Sequence, residues 1–268
     1  MVFLQYIIPQ HFLSSLMFRF TRIKVLWIKN TFTRWFVKKY QVNLAEAEVE
    51  NIEDFIHFND FFTRALKPNL RPISDSKLIS PVDGVVSQSG KIEDSQIFQA
   101  KGHQYSTNDL LADKSSVFNN GKFATIYLSP RDYHRIHMPC DGILLEMKYI
   151  PGSLFSVNQK TVSNVERVFA RNERLVCLFK TDFGQIAFIL VGAIFVGSMQ
   201  TIWEGQITPP YGKKITNYNY KDKVIKLSKG DELGRFNMGS TVIMLLPKES
   251  IEINLIEGQE LKMGQEII

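Results

Sequence analysis

The chain has 268 residues, 44% hydrophobic and 22% charged, which is typical of a folded globular protein and excludes a disordered or fibrous one. Its two cysteines, Cys140 and Cys177, show no CxxC or other metal-ligand spacing, so neither a disulfide framework nor a metal site is predicted and a reducing compartment fits best. The formal charge is +5, but no helix-turn-helix, RRM or zinc-finger pattern accompanies it, so nucleic-acid binding is not expected.

The N-terminal 45 residues are basic and aromatic. They hold seven of the 32 Lys and Arg residues and none of the 27 acidic ones, with Phe12, Trp27 and Trp35 among the aromatic residues between the charges. Apolar side chains enter the acyl boundary of a bilayer, Trp prefers its interface, and basic residues are attracted to anionic headgroups. Polar residues interrupt the longest uncharged run, so a spanning helix is not predicted. We expect contact with a membrane surface; the alternative is that these helices pack on the protein's own core.

The next stretch, residues 44–66, is expected to form short helices. Asn59 and Asp60 are residues that favour the N-terminus of a helix, and here they precede the segment FFTRAL. Pro68 and Pro72 then end any helix, because a proline disfavours helical geometry in the residue before it. The sequence therefore predicts a helical membrane-associating segment at residues 1–66 and a β-rich catalytic domain at residues 67–268.

The second part has the texture of strands and turns. Short apolar or alternating runs occur at residues 122–128, 143–150, 175–180 and 185–191, and the sequence TDFG at 181–184 predicts a hairpin between the last two. Repeated alternation of strand and helix is missing from the sequence, which argues against a doubly wound sheet. The predicted fold class is α+β, with N-terminal helices followed by a mainly antiparallel β-rich body.

Residues capable of chemistry occur in three short segments. His134 and His137 share the segment YHRIHMP, Asp83 lies in PVDGVV, and Ser240 follows a glycine in MGST just before the strand-like run TVIML. Each has a plain structural reading as a buried histidine or a tight turn. In chain order Asp83, His137 and Ser240 are the residue types of a nucleophilic triad, although no GxSxG motif surrounds the serine.

Several motifs resemble one known family. MGSTVI at residues 238–243 resembles the LGST processing site of bacterial phosphatidylserine decarboxylase proenzymes, with Met238 in place of the usual Leu. Other segments resemble further signatures of that family in the family's order: FFTRALKPNLRPI at 61–73, PVDGVV at 81–86, YHRIHMP at 133–139, PGSLFSVN at 151–158 and NER at 172–174. The resemblance covers most of the chain from about Phe61 onward.

The resemblance implies a mechanism of self-processing. The family cuts its own Gly-Ser bond, here Gly239 to Ser240, and converts the serine into a covalent pyruvoyl group that forms a Schiff base with the substrate amine and needs no metal. It implies that His137 takes the proton of the Ser240 hydroxyl and that Asp83 orients this imidazole. His134 is expected to assist decarboxylation or the return of a proton to the substrate.

By the same resemblance, the expected reaction converts phosphatidylserine to phosphatidylethanolamine and carbon dioxide at a membrane surface. The expected partners are phosphatidylserine, the membrane, and the large and small chains of one precursor, residues 1–239 and 240–268, with a possible homodimer. The expected location is peripheral, on the cytoplasmic side of the cell membrane.

Two alternatives remain at this point. A serine hydrolase using Asp83, His137 and Ser240 on an external acyl substrate would be an uncut chain that reacts with a serine-directed probe. A β-rich membrane-bound scaffold without enzymatic activity would be uncut and would ignore the probe.

Overall fold

The computed structural model describes residues 2–114, 116–195, 198–220, 223–237 and 241–268. Short 3-10 helices lie at Phe3–Tyr6, Leu44–Glu46 and Ile52–Asp54. The α-helices are α1 (Gln10–Phe20), α2 (Leu26–Tyr40), α3 (Phe58–Phe62), α4 (Thr107–Leu111), α5 (Gln159–Val162) and α6 (Val168–Arg171). Most of the helical residues therefore precede the β-rich body.

The strands fill the rest of the chain. They are β1 (Gly84–Lys91), β2 (Gln96–Ala100), β3 (His103–Ser106), β4 (Lys122–Tyr127), β5 (Arg135–His137), β6 (Gly142–Ile150), β7 (Arg174–Thr181), β8 (Gly184–Val191), β9 (Met199–Thr201), β10 (Gly205–Gln206), β11 (Thr216–Asn219), β12 (Lys226–Leu227), β13 (Glu232–Phe236), β14 (Thr241–Leu246) and β15 (Glu260–Leu261). Each pairing between these strands is antiparallel. The predicted α+β class and the predicted β7 to β8 hairpin are confirmed.

The large sheet has the order β11-β6-β7-β8-β14-β4-β1-β15, with β12 also pairing with β6. Its central strand β14 is covered on both faces, which explains the apolar run from Val242 to Leu246. Val242, Met244 and Leu246 join one core cluster, and Ile243 and Leu245 join the other. Successive side chains of a strand point to opposite faces, so the two clusters lie on the two sides of the large sheet.

The small sheet, with the order β10-β9-β13-β5, contributes to one of these clusters. Ile136 of β5, Met199 of β9 and Phe236 of β13 all belong to the cluster that includes Val242 of β14. The small sheet therefore packs on this face of the large sheet, next to the end of β13 and the start of β14.

The N-terminal helices form a separate aromatic cluster. Phe36 of α2 packs against Phe58, Phe61 and Phe62 of α3, with ring centroids 5.0 to 6.1 Å apart. Among the residues described, no helix has both the length and the apolar character that crossing a bilayer requires.

Two local details differ from the sequence-based expectations. The predicted helix cap at Asn59 and Asp60 was wrong: His57 is the N-cap, and its ring Nδ1 accepts the Asp60 N–H at 2.9 Å, so both predicted cap residues lie inside α3.

Lys29 is buried, although its charge was counted toward membrane contact. Its Nζ donates to three backbone carbonyls, those of residues 52, 53 and 55, which stabilises the ammonium group inside the helical segment.

Candidate active site

The predicted cleavage bond lies between two well-anchored residues. Gly239 and Ser240, with Met238, are outside the residues that the structure describes. Asn237 immediately follows β13 and is buried, and Thr241 begins β14, where it pairs with residues of both β4 and β8. The segment 238–240 therefore connects the end of the small sheet with the centre of the large one.

His134 is held against the end of β13. Its carbonyl accepts the backbone N–H of Phe236 at 3.1 Å, and its ring packs on Phe62 of α3 with centroids 4.1 Å apart. The ring Nδ1 donates to the carbonyl of Asp132 at 2.8 Å, which leaves Nε2 as the nitrogen with a free lone pair. Among the described residues Nε2 has no hydrogen-bond partner, and the side chain is completely buried.

Burial also determines the charge of this ring. Desolvation lowers the pKa of His134 from its usual 6.5 to about 3, and the nearby positive charge of Arg64 lowers it further, while the bond to Asp132 acts in the opposite direction. His134 is therefore a neutral imidazole at physiological pH. Its unpaired Nε2 is a buried proton acceptor, and the backbone carbonyl of the same residue bonds to Phe236, two residues before the segment 238–240.

His137 has partners on both ring nitrogens. Its Nδ1 donates to the carbonyl of Gly230 at 2.8 Å, so Nε2 accepts, and the Tyr133 hydroxyl donates to it at 2.9 Å. Burial lowers the pKa of His137 as well. In the ladder between β5 and β13, His137 lies opposite Glu232, whereas His134 meets Phe236, four residues nearer to the predicted cleavage bond.

Asp83 is buried in a network of charges. Arg71 binds it through two nitrogens, with Nη2 at 2.6 Å from Oδ2 and Nε at 3.1 Å from Oδ1. The backbone N–H of Met263 donates to Oδ1 at 2.8 Å, and the Lys262 ammonium lies 3.4 Å from Oδ2. Asp83 thus ties the start of β1 to the C-terminal segment of the chain.

The structure brings Asp83 near His137 without a direct bond between their side chains among the described contacts. The backbone N–H of His137 donates to the carbonyl of Pro81 at 2.9 Å, and the charge of Asp83 raises the pKa of His137 against the larger effect of burial. The sequence-based expectation was that Asp83 orients the imidazole. In the structure Nδ1 of His137 donates to the Gly230 carbonyl instead, and the Asp83 oxygens accept from Arg71, Lys262 and Met263.

Sequence reasoning did not single out several contacts of these residues. Tyr133 donates to His137, Arg71 binds Asp83, Phe62 packs on His134, and Asn59 donates to the carbonyl of Asn237. Phe62 and Arg71 both lie in the motif FFTRALKPNLRPI, which was the only signal available for them. Asp83 lies 12 residues after Arg71 and His134 lies 72 residues after Phe62, so local pattern could not identify the contacts.

An apolar cavity of about 470 Å³ lies beside these residues. Its lining includes Phe36 and Tyr40 of α2, Phe62 of α3, Tyr127 of β4, and Ala193 and Phe195 after β8. Phe62 also packs on His134, and Tyr127 is the partner of Thr241 in the large sheet. The cavity therefore extends from the N-terminal helices to the start of β14.

No metal cluster is found in the described part of the chain: groups of three or more His, Cys, Asp or Glu suited to a metal ion do not occur there.

Comparison with known proteins then defines the protein's relatives. The family model described as phosphatidylserine decarboxylase matches residues 58–268, and a second model, described as PSD, matches residues 1–41.

The chain belongs to the phosphatidylserine decarboxylase family.

Its curated relatives cover nearly the whole chain. It is 52% identical to the phosphatidylserine decarboxylase proenzyme of Methylobacillus flagellatus, over 91% of this chain and 89% of that protein. Identity is 50% with the proenzyme of Pseudomonas putida, over 98% and 95%, and 48% with that of Idiomarina loihiensis, over 94% and 89%. These relatives are named as decarboxylase proenzymes, which gives the serine hydrolase alternative no support.

Proposed function

We propose that this family member is a self-processing decarboxylase that converts phosphatidylserine to phosphatidylethanolamine and carbon dioxide at a membrane surface. Family membership, with about half of all residues identical to the named proenzymes, supports the reaction class. The observation on which the site assignment rests is the buried, neutral His134, whose Nε2 has no partner among the described residues and whose backbone carbonyl accepts the N–H of Phe236, three residues before Gly239.

The cofactor proposed is a pyruvoyl group formed from Ser240 after cleavage from Gly239. Such a group supplies an electron-withdrawing carbonyl that condenses with the substrate amine and accepts electrons as carbon dioxide leaves. The surroundings fit a small polar group, because the hydroxyl of Thr241 and Nε2 of His134 are both buried without partners among the described residues. A buried unpaired acceptor is costly unless a ligand or a reacting group satisfies it.

The histidines would divide the proton transfers. We propose that Nε2 of His137 serves as the base for the Ser240 hydroxyl. The Tyr133 hydroxyl donates to the same Nε2, so it must either leave this nitrogen or relay the proton to it. Asp83 would act on His137 through its charge, since its own oxygens bind Arg71 and Met263. His134, neutral and unpaired at Nε2, would hold or return a proton at the substrate.

The fold supports a product of two associated chains. After cleavage the small chain would contain β14, which lies between β4 and β8 in the large sheet with both of its faces buried. The bonds from Lys262 and Met263 to Asp83 would link the same small chain to β1. Loss of one peptide bond would therefore leave the two pieces joined by a full strand ladder and an ion pair.

The apolar cavity suits a lipid substrate. Its aromatic and aliphatic lining matches an acyl or glycerol portion, and it reaches both Phe62, which packs on His134, and Tyr127, which pairs with Thr241. A phospholipid lying there would place its headgroup toward the reacting residues.

The orientation of the N-terminal helices supports the membrane part of the proposal. Polar side chains of this segment face inward: Gln10 Oε1 accepts the backbone N–H of Leu154 at 2.6 Å, and Ser14 Oγ accepts that of Phe195 at 3.0 Å. Gln10 and Ser14 are the two buried residues of α1. This is the reverse of an ordinary surface helix, whose apolar stripe faces the core.

Several large apolar side chains of the same segment are exposed. Phe3 is 86% exposed and Ile7 81%, and Phe12, Leu16 and Trp27 are exposed as well. Exposed apolar side chains concentrated in one segment are typical of an interface with a membrane or a partner. We propose that it enters the headgroup region of the cytoplasmic side of the cell membrane, with the protein bound peripherally.

The enzymatic proposal is tested with phosphatidylserine in vesicles. We expect the purified protein to release carbon dioxide and form phosphatidylethanolamine, and a Ser240→Ala variant to remain uncut and inactive. Loss of activity without loss of cleavage in Ser240→Ala would contradict the assignment. Labelling of an uncut wild-type chain by a serine-directed probe would instead favour a hydrolase. Sedimentation equilibrium of the processed protein tests the proposed homodimer.

The membrane proposal is tested by co-sedimentation with anionic vesicles. A double variant, Phe12→Ser with Leu16→Ser, should bind vesicles more weakly by about tenfold, because it removes two apolar side chains from the exposed face. The matched control is Val224→Ser with Ile256→Ser, which removes two exposed apolar side chains from the body. Equal binding by the two double variants would refute the assignment of this face to the membrane.

A further inference from the structure

One side chain of the N-terminal helical segment reaches the residue that leads into the cleavage segment. Asn59 of α3 is buried, and its Nδ2 donates to the backbone carbonyl of Asn237 at 2.7 Å. The backbone of Asn59 is itself fixed, because its N–H donates to the carbonyl of Thr21 at 2.9 Å and its carbonyl accepts the Thr63 N–H at 2.9 Å. The donor is therefore presented from a rigid position.

Asn237 is held from its other side by Ser198. The backbone N–H of Asn237 donates to the Ser198 carbonyl at 3.0 Å, and Nδ2 of Asn237 donates to the Ser198 hydroxyl at 2.6 Å. Asn59, Ser198 and Asn237 together form what we call the Asn237 clamp. All three residues are buried, so water does not compete for these hydrogen bonds.

The clamp fixes one end of a short segment whose other end is already fixed. Downstream, Thr241 is paired on both sides within the large sheet, with Tyr127 of β4 and Val191 of β8. Upstream, the donor to the carbonyl of Asn237 among the described residues is Asn59, a side chain from outside the β-rich body. Intramolecular attack of a hydroxyl on the preceding carbonyl requires close alignment, and a small misplacement slows such a reaction strongly.

We propose that Asn59 is a positioning residue for self-cleavage, acting through the carbonyl of Asn237 to align the segment that contains Gly239 and Ser240. This inference rests on the proposed function, since it assumes that cleavage occurs there. It assigns the N-terminal helical segment a second role besides membrane contact: α3 helps to prepare the bond that the protein cuts.

A merely structural role for Asn59 makes a different prediction. If its hydrogen bond only stabilised the fold, any buried amide of similar importance would affect cleavage equally once removed. Gln99 offers this comparison: it is buried, its Nε2 donates to the carbonyls of Val162 and Val165, and its Oε1 accepts the N–H of Val168. These bonds connect β2 with α5 and α6, and none involves α3, β5 or β13.

The experiment follows cleavage of freshly synthesised precursor over time by gel electrophoresis. Asn59→Leu and Asn59→Asp keep the approximate size of the side chain and remove the donor, and we expect cleavage to slow by about tenfold to a hundredfold. Gln99→Leu should cleave within about twofold of the wild-type rate. Thermal unfolding of each variant in a Ser240→Ala background measures the stability of the uncut precursor separately.

The outcomes separate the two levels of the argument. If the wild-type protein cleaves and a folded Asn59→Leu variant cleaves at the same rate, the inference is overturned and the proposed function is left intact. The same holds if Gln99→Leu slows cleavage as much as Asn59→Leu does at equal stability. A wild-type precursor that never cleaves would overturn the proposed function and the inference together. If the Asn59 variants do not fold, Ser198→Ala decides: the clamp predicts cleavage slower by about threefold or more, and an unchanged rate contradicts it.

Discussion

The burial of His134 has a consequence for stability that a single substitution reveals. Its pKa is about 3 in the folded protein and 6.5 when exposed. Between these values the unfolded chain binds a proton that the folded chain does not, so acidification favours unfolding. This stability is fully present above pH 6.5 and is lost as the pH falls toward 3. Replacing His134 by Gln, which does not titrate, should remove this part of the pH dependence.

The magnitude follows from the two pKa values. Each pH unit well inside the window lowers the free energy of unfolding by about 1.4 kcal/mol, so acidification from about pH 7 to about pH 5 costs roughly 2 kcal/mol through His134 alone. Other buried histidines, such as His137, add to the fall in both proteins and cancel in the comparison.

The assay is urea unfolding of two uncut proteins, Ser240→Ala and Ser240→Ala with His134→Gln, at the two pH values. We expect the free energy of unfolding to fall by about 2 kcal/mol more in the protein that retains His134. An equal fall in both proteins would mean that His134 titrates alike in the folded and unfolded chains. The description of a buried, neutral imidazole would then be wrong.

Three further substitutions follow from the contacts. Arg71→Leu leaves Asp83 buried without its bidentate partner and should lower the free energy of unfolding by about 3 to 5 kcal/mol in urea titrations; a loss below about 1 kcal/mol would contradict the buried ion pair. A Cβ at Gly234 would lie 2.2 Å from the carbonyl oxygen of Gln200, so Gly234→Ala should lower the thermal midpoint by several degrees, and an unchanged midpoint would refute that packing. Ala193→Phe narrows the apolar cavity and should raise the KM for long-chain phosphatidylserine severalfold more than for a short-chain analogue; equal changes would remove the cavity from the lipid path.

Local pattern was sufficient for much of the β-rich body. The apolar runs at 143–150, 175–180 and 185–191 became β6, β7 and β8, and the turn TDFG joins β7 to β8, with Thr181 opposite Gly184. Consecutive strands pair through short connections, so their signals are contained in one stretch of sequence.

The position of β14 required information that local pattern does not carry. Its neighbours β4 and β8 lie 50 or more residues away along the chain, and its apolar sequence fits any buried strand. The same limit applied to the site. His134 and His137 were found through their motif, but the position of His134 beside Phe236 follows from strand register, which the sequence does not reveal.

Lys29 illustrates a third limit. Its charge and aromatic neighbours suggested contact with lipid, whereas the structure buries its ammonium group among carbonyls of the short 3-10 helix Ile52–Asp54 and of Phe55. A lone lysine can be buried when backbone acceptors satisfy its three donors, and that arrangement depends on a loop more than twenty residues away. Charge counts therefore identified the segment that carries the exposed apolar face but not the role of each basic residue.

The most direct test of the proposed function is the intact mass of the purified protein under denaturing conditions. We expect two species, residues 1–239 and residues 240–268, with the smaller one lighter by the mass of ammonia than a fragment that begins with serine. That difference corresponds to a pyruvoyl group in place of Ser240. A single uncut chain, or a small fragment with an unmodified N-terminal serine, would contradict the proposal that this protein is a self-processing pyruvoyl decarboxylase.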